Sequence, residues 1–429
     1  MRYSSIDNKL FISNRQRLAQ QLPKNALVIL NSNDVLPTNA DGTMSFKQNS
    51  DLFYLTGVDQ EESIVCLFPT HPDEKLREVL FVRETNETIA VWEGEKLSKK
   101  QATEVSGIKT IYWTHQFETV FRNIIFEAES VYLNTNEHTR NDSLTQTRDS
   151  RFISNFKEKY PLHQLVRIAP IMHRLREIKQ DVEVALIQKA CDITKLGFER
   201  LLKFVKPGVQ EFEVEAELLH EFVRNRSKGF AYQPIIASGA NACVLHYVQN
   251  SQECKEGEVL LLDVAAEYAN YASDLTRSIP VNGRFTKRQR EVYDAVLRVF
   301  KASKEMLVPG NIWDDYHVEV GKIMESELKQ LGLLSQKDID DQDPDWPAYK
   351  KYFPHGTSHF MGLDVHDVGN KYHRFQAGMV FTCEPGIYIP AEGLGIRLEN
   401  DILITENGNV DLMGTIPIEA DEIESIMNS

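Results

Sequence analysis

Three histidines fall within thirteen residues in HGTSHFMGLDVHD, which runs from His355 to Asp367. Imidazole is the commonest protein ligand for a divalent metal and carries protons near neutral pH. Two glycines and the Ser/Thr residues argue against a stable helix here, so spacing alone does not say which ring faces a metal. The chain has no HExxH, which excludes the familiar two-histidine zinc helix. Core or surface imidazoles are an equal account of the cluster until other groups join it.

The candidates to join it are carboxylates in the wrong places. Asp263 interrupts the apolar run VLLLDVAA, and Asp274 lies eleven residues on, in what reads as the returning strand of a hairpin. A charge in a buried strand is costly unless it is paired or metal-bound. Two carboxylates facing each other across a hairpin repel unless a cation lies between them. The anomaly recurs downstream. Glu384 falls in the apolar run MVFTCEPGIYI, where Pro385 biases it toward extended backbone. Glu399 follows GIRL, two residues from Arg397 and on the same face if the segment is a strand. An oxygen-rich set with one imidazole suits hard divalent ions, manganese ahead of a thiolate-type zinc site. Two such ions bridged by carboxylates, roughly 3.5–4 Å apart, would activate a water for hydrolysis.

These residues need elements to hold them. From about residue 180 the pattern is two long helical periodicities, DVEVALIQKACDITKLGFERLLKFV and EFEVEAELLHEFVRNR, then the strands PIIASG, EVLLLDVAAEY and YASDLTRSIPV. The order then repeats. Thr286 with Gln289 caps a helix through Leu307, a second helix spans Trp313 to Leu331, and HFMGLDVHD, MVFTCEPGIYI and GIRLENDILIT read as strands. Element order alone suggests an internal pseudo-repeat with the site between its halves. The first part of the chain alternates instead. A helix at SNRQRLAQQL carries a capping box, Ser13 with Gln16, and ALVIL, LFYLTGV, SIVCLF, EVLFV and SVYLN read as strands. The expected fold class is therefore α/β (α+β): residues 1–170 a mixed-sheet α/β domain, residues 171–429 the catalytic domain. The acidic stretch KDIDDQDPDWP reads as a solvated loop, since Asp343 stands where a calcium loop requires glycine.

Bulk properties narrow the function. With 429 residues, two or three domains are the natural prior. A net charge of −15 argues against a nucleic-acid partner. Five dispersed cysteines without a CxxC fit a reducing compartment and neither a disulfide framework nor a zinc ribbon. MRYSSIDNKLF lacks the apolar run of a signal peptide, and no stretch approaches the roughly 20 apolar residues that span a bilayer. A cytoplasmic protein without a membrane partner is expected.

Five motifs, ASGANACVLHY, LLDVAAEYANYASDLTRS, HGTSHFMGLDVHD, TCEPGIYI and GIRLENDILI, stand in the order and at the spacing of a known family. By them the chain resembles the pita-bread metallopeptidases, most closely the aminopeptidase P branch. RQRLAQQLP and FKQNSDLFYLTGV resemble the N-terminal domain of that branch. The resemblance implies a C-terminal pita-bread domain with a pseudo-two-fold αβ repeat. It also implies two divalent ions, manganese first and zinc or cobalt as alternatives. The implied ligands are Asp263, Asp274, His359, Glu384 and Glu399. Asp274 and Glu399 would bridge, Asp263 would hold one ion, and Glu384 would hold the other and act as general base. His246, His355 and His366 would face the substrate with Arg397; Tyr388 would line the pocket. Tyr232, and Arg176 beside it, would lie near the substrate's N-terminal residue. The implied reaction cleaves Xaa-Pro-peptides after the first residue with a hydroxide activated by the two ions, in a homodimer or homotetramer. Alternatives are an Xaa-Pro dipeptidase (prolidase) and, more remotely, a non-catalytic peptide-binding module. A methionine aminopeptidase would have no use for the first 170 residues.

Overall fold

A computed structural model describes residues 2–429. They form two compact units, Ser4–Arg176 and Glu177–Ser429, the second joined by residues 2–3. The division falls in the last turn of the helix Ala169–Glu177.

The first unit is built on a six-stranded mixed sheet. Its strands are β1 (Ala26–Asn31), β2 (Ile64–Leu67), β3 (Glu78–Val82), β4 (Thr110–Trp113), β5 (Ser130–Leu133) and β6 (Gln164–Arg167), in the order β4-β3-β2-β1-β5-β6. Only β2 is antiparallel to its neighbours; β1, β3, β4, β5 and β6 share one direction. Burial is complete along β1, which explains the unbroken apolar run. Phe121, Ile124 and Phe156, from the helices Phe117–Ile125 and Arg148–Lys159, pack on Ile29, Phe81 and Val131.

Two expectations fail in this unit. LFYLTGV is not a strand; Ser50–Thr56 is helical, and every residue of it after Ser50 is buried. Local caps override the aromatic, β-favouring composition. The Asn49 side chain accepts from the Asp51 and Leu52 amides, and Gly57 closes the helix at φ +67°, where a Cβ would lie 2.2 Å from the Phe11 ring. Nor does Ser13 cap the first helix. That helix runs from Lys9 to Ala19, starting upstream so that Leu10 and Phe11 reach the core.

In the second unit the order of elements recurs. Helices Asp181–Phe204 and Glu211–Arg224 precede β7 (Ile235–Ser238), β8 (Val259–Asp263), β9 (Glu267–Tyr268), β10 (Tyr271–Ala272) and β11 (Thr276–Pro280). Helices Lys287–Met306 and Trp313–Gln330 precede β12 (Val380–Cys383), β13 (Gly386–Ile389), β14 (Leu394–Arg397), β15 (Asn400–Thr405) and β16 (Gly408–Asp411). Thr286 and Gln289 form the expected capping box. One antiparallel sheet has the order β11-β8-β7, a second β12-β15-β16, and β13 pairs with β14. A bridge between Thr276 and Glu399 ties the first set of strands to the second.

The strands are shorter than their apolar runs, and they break at the carboxylates. MVFTCEPGIYI splits at Glu384-Pro385, because Pro385 has no N–H for the ladder and the Glu384 amide donates instead to Thr357 O at 2.8 Å. GIRLENDILIT splits at Leu398-Glu399, where the Glu399 amide donates to Thr276 O at 3.0 Å. Asp274 lies in the gap between β10 and β11 rather than within a strand. HFMGLDVHD is not a strand either: Phe360 alone bridges, to Phe381, and the rest is bends and irregular backbone. The acidic stretch after Ser335 begins as a short exposed helix, Gln336–Asp340, rather than a loop.

Candidate metal centre

Asp263 ends β8 and faces Thr276 across the hairpin. Asp274 waits two residues before Thr276; Glu384 and Glu399 occupy the two strand breaks. These breaks matter because a regular strand alternates its side chains. Outside regular strands, Asp274, Glu384 and Glu399 can turn toward Asp263 at the end of β8. Asp274, His359 and Glu399 are buried and offer ligand atoms within 4.8 Å of one another, a group that could hold a metal ion. Glu384 Oε1 lies 3.7 Å from His359 Nε2, and Asp274 Oδ2 lies 3.4 Å from the same nitrogen.

The His359 ring is oriented by its neighbours. Nδ1 lies 3.0 Å from the Phe360 carbonyl, which can only accept, so Nδ1 carries a proton and Nε2 points at the carboxylates. A metal-ligating histidine is commonly fixed in this way. His355 differs. Its Nδ1 donates to Gly356 O at 2.7 Å, and its Nε2 accepts from Tyr388 Oη, also at 2.7 Å. Burial, then the Arg397 cation, pushes the His355 pKa down to about 3, so the ring is neutral. His366 is exposed, with its ring centroid 4.4 Å from that of His359 and at right angles to it. His246 is exposed and close enough to His355 for its charge to act on that ring.

Electrostatically the group is short of positive charge. Burial raises the Asp274 carboxyl well above its ordinary range, and Asp263 adds to this. Glu399 is raised by burial, then by Asp274, Glu384 and Asp263. Glu384 is pushed up to about 7, first by burial. Against four carboxylates stands one guanidinium. Arg397 Nη2 donates to Asp263 Oδ2 at 2.7 Å, Nη1 to Tyr388 Oη at 2.8 Å and Nε to Thr276 Oγ1 at 3.1 Å. Tyr232 Oη donates to the other Asp263 oxygen at 2.6 Å. Fully ionised, the four carboxylates and Arg397 sum to −3, a deficit that divalent cations suit.

Arg176 belongs to the first unit. It is buried there and donates to Asp51 at 2.8 Å. Arg397, expected to face substrate, has its guanidinium engaged by Asp263, Tyr388 and Thr276.

Four supporting residues escaped the sequence reading. Thr276 Oγ1 donates to Glu399 Oε2 at 2.5 Å while accepting from Arg397. Thr382 Oγ1 accepts the His359 amide at 3.0 Å and lies 3.4 Å from Glu384 Oε1. Asp401 Oδ2 accepts the Asp274 amide at 3.0 Å. The fully buried Arg277 donates to the carbonyls of Thr276 and Glu399. The first three stand two residues from a carboxylate of the group, a polar residue at strand period beside an anomalous acid. That signal was present in the sequence.

Residues 185–406 match the model of metallopeptidase family M24, and residues 11–132 that of the aminopeptidase P N-terminal domain. The chain is 35% identical to the Xaa-Pro aminopeptidase of Haemophilus influenzae, over 97% of each chain. It is 32% identical to that of Escherichia coli, over 99% of this chain and 98% of the other. The solved structure of Escherichia coli aminopeptidase P in its low-pH form superposes with a TM-score of 0.90 at 31% identity, covering 99% of both chains.

Proposed function

The chain belongs to metallopeptidase family M24, and we propose that it is a metal-dependent aminopeptidase that removes the N-terminal residue from peptides with proline second. One observation carries the reading: four carboxylates and Nε2 of one oriented imidazole converge where only a single guanidinium offsets them.

Asp263, Asp274, His359, Glu384 and Glu399 would hold two divalent ions, manganese by the hardness of the donors. The raised carboxyls fit this, since their protons are what bound cations would displace. When bound, the ions would supply Lewis-acid polarisation of the scissile carbonyl and a water made acidic enough to attack near neutral pH.

The chain's own groups do the rest. Glu384 takes a proton from the attacking water and returns it to the departing nitrogen. That nitrogen is proline's, and like any amide nitrogen it leaves as an amine only when a proton is delivered to it. Asp263 is held by Arg397 and Tyr232, which fixes its carboxylate. The neutral ring of His355, against Phe353 and Tyr388 at 4.8 and 5.5 Å, would form with His246 and His366 an apolar wall for the pyrrolidine ring. Tyr232 would stand beside the substrate's first residue.

Among the described residues no helix is long and apolar enough to cross a membrane, and the five cysteines are free. We place the protein in the cytoplasm, as a homodimer or homotetramer; reduced cysteines support the first, and the second follows the family resemblance. The test is turnover of an Xaa-Pro-Yaa tripeptide against an Xaa-Pro dipeptide and an Xaa-Ala-Yaa tripeptide, with manganese and with chelator. Efficient cleavage of the first alone, lost on chelation, is expected. Cleavage of the dipeptide alone would make it a prolidase, and equal kcat/KM for the two tripeptides would remove proline specificity.

A further inference from the structure

The N-terminal unit has no part in the group of carboxylates, yet it contains a crevice of about 790 Å³. Asp34 lines it just beyond β1, Arg83 and Glu84 just beyond β3, and His115 just beyond β4. These are carboxyl ends of strands that run in one direction, the place where open α/β sheets bind their ligands. The helix Arg148–Lys159 closes one side with Arg148, Arg151 and Phe152.

Its charges are unevenly matched. Arg151 pairs with Asp34 at 2.6 Å, and Arg83 forms a two-pronged pair with Glu93 as well as reaching Glu61. Glu118 pairs with Lys159 at 2.6 Å, and Glu84 lies 3.5 Å from His115. Arg148 is the exception. Its Nη1 donates to Ser32 Oγ at 3.1 Å, and among the described residues no carboxylate lies within ion-pairing distance of it. A half-buried guanidinium has five N–H donors, and this one uses one. Burial pulls its pKa below the ordinary value, while Glu62, Asp34 and Asp149 act on it from a distance in the other direction.

Glu62 is the second exception. It holds a left-handed backbone, φ +54°, where a residue with a Cβ is uncommon. Its one pairing in the crevice is a loose 3.8 Å approach to Arg83. Ile64, Phe117 and Phe152 supply an apolar floor. A bare phosphate or a polyanion would meet Glu62, Glu84 and Asp34, so an anion alone does not fit these walls.

We propose that this crevice is a second binding site, for a small zwitterion of the α-amino acid or short-peptide class. The carboxylate lies on Arg148, the ammonium faces Glu62, and the side chain rests on Phe117 and Phe152. The site stands on the N-terminal unit alone and does not depend on the peptidase reading.

Calorimetric titration of the metal-loaded protein with L-phenylalanine tests it, beside Arg148→Gln and Glu62→Gln. Neither residue belongs to the catalytic group, so peptide turnover should be unchanged in both. Binding at the metal centre would appear in all three proteins. Crevice binding should weaken at least tenfold in each variant, the scale of losing a charged hydrogen bond. N-acetyl-L-phenylalanine, without the ammonium, and L-phenylalaninamide, without the carboxylate, should both fail to bind there. Phe-Ala, which lacks proline, separates the sources: tighter binding than phenylalanine assigns the site to peptides, weaker binding to free amino acids. Identical isotherms for wild type and Arg148→Gln, or no binding to wild type at millimolar ligand, would overturn the proposal. Should Arg148→Gln fail to fold by circular dichroism, Glu62→Gln decides in the same way.

Discussion

His359 differs from His355 in what its ring nitrogens face. Its Nδ1 proton is committed to a carbonyl and its Nε2 faces Asp274 and Glu384, whereas both nitrogens of His355 are occupied by Gly356 and Tyr388. His359→Ala should therefore lose bound metal and turnover together. His355→Ala and His366→Ala should keep full metal content by elemental analysis and lose rate; metal loss from either outer variant, with His359→Ala still loaded, would reverse the assignment. The carboxyls carry a second expectation, in pH. Glu384 sits at about 7 in the metal-free fold, and Asp274 and Glu399 are raised too, against ordinary values near 4 when unfolded. Groups raised in the folded state stabilise it fully below the unfolded pKa, and that stability is lost as pH climbs toward the folded value. Chelated protein should thus lose melting temperature relative to loaded protein between about pH 5 and 7, and rebinding metal at pH 6 should release protons. A gap between the two forms that stayed constant across that range would contradict the raised carboxyls. Residue types and order singled out the four carboxylates and the histidines, and the structure brings Asp274, His359 and Glu399 together. Thr276, Thr382 and Asp401 were as legible in principle, through their two-residue offset, but a threonine in a strand attracts no notice until its partner is known.

At the scale of elements, apolar runs predicted where strands would be, and carboxylates decided where they end. Val380–Cys383 and Gly386–Ile389 read as one segment because hydrophobicity is blind to the ladder that Pro385 and Glu384 interrupt. Ser50–Thr56 was misread for a related reason: its aromatic residues favour a strand, and only the Asn49 cap and the left-handed Gly57 mark the helix. The bend that carries His366 depends on a partner far away in sequence, which no local pattern reveals. Lys179 Nζ pairs with Asp367 Oδ2 at 3.1 Å, with both side chains almost wholly buried. A Cβ at position 362 would meet that Asp367 oxygen at 2.2 Å and Lys179 Cε at 2.9 Å, so glycine makes room for the pair. Lys179→Met leaves the Asp367 carboxylate buried without its cation, which should lower stability by about 3–5 kcal/mol. Adding Asp367→Leu removes the stranded charge and should recover much of the loss in urea titration. A double variant as unstable as the single would mean that packing, not charge, holds the bend.

Among the described residues the chain forms two compact units, and the side chains that could hold a metal ion fall in the second. Composition and the helix-helix-strand order, met twice, were enough to read a mixed α/β fold, because each repeat buries its face against its own helices. Every ligand candidate lies in Glu177–Ser429, while Ser4–Arg176 has its own sheet and its own aromatic core. Metal binding should therefore stabilise one unit and not the other. A ligand at a thousandfold excess over its Kd adds about 4 kcal/mol to the form it binds. In a domain of 150–250 residues each kcal/mol moves the midpoint by roughly 2–4 °C, so chelation should lower the transition of the C-terminal unit by roughly 8–16 °C. The N-terminal transition should stay where it was, and L-phenylalanine should shift only that one if the crevice binds it. Differential scanning calorimetry of the full chain, loaded and chelated, reads both. A single transition that moves as a whole on chelation would show that the two cores melt together, and that the metal stabilises the entire chain rather than the unit that holds it.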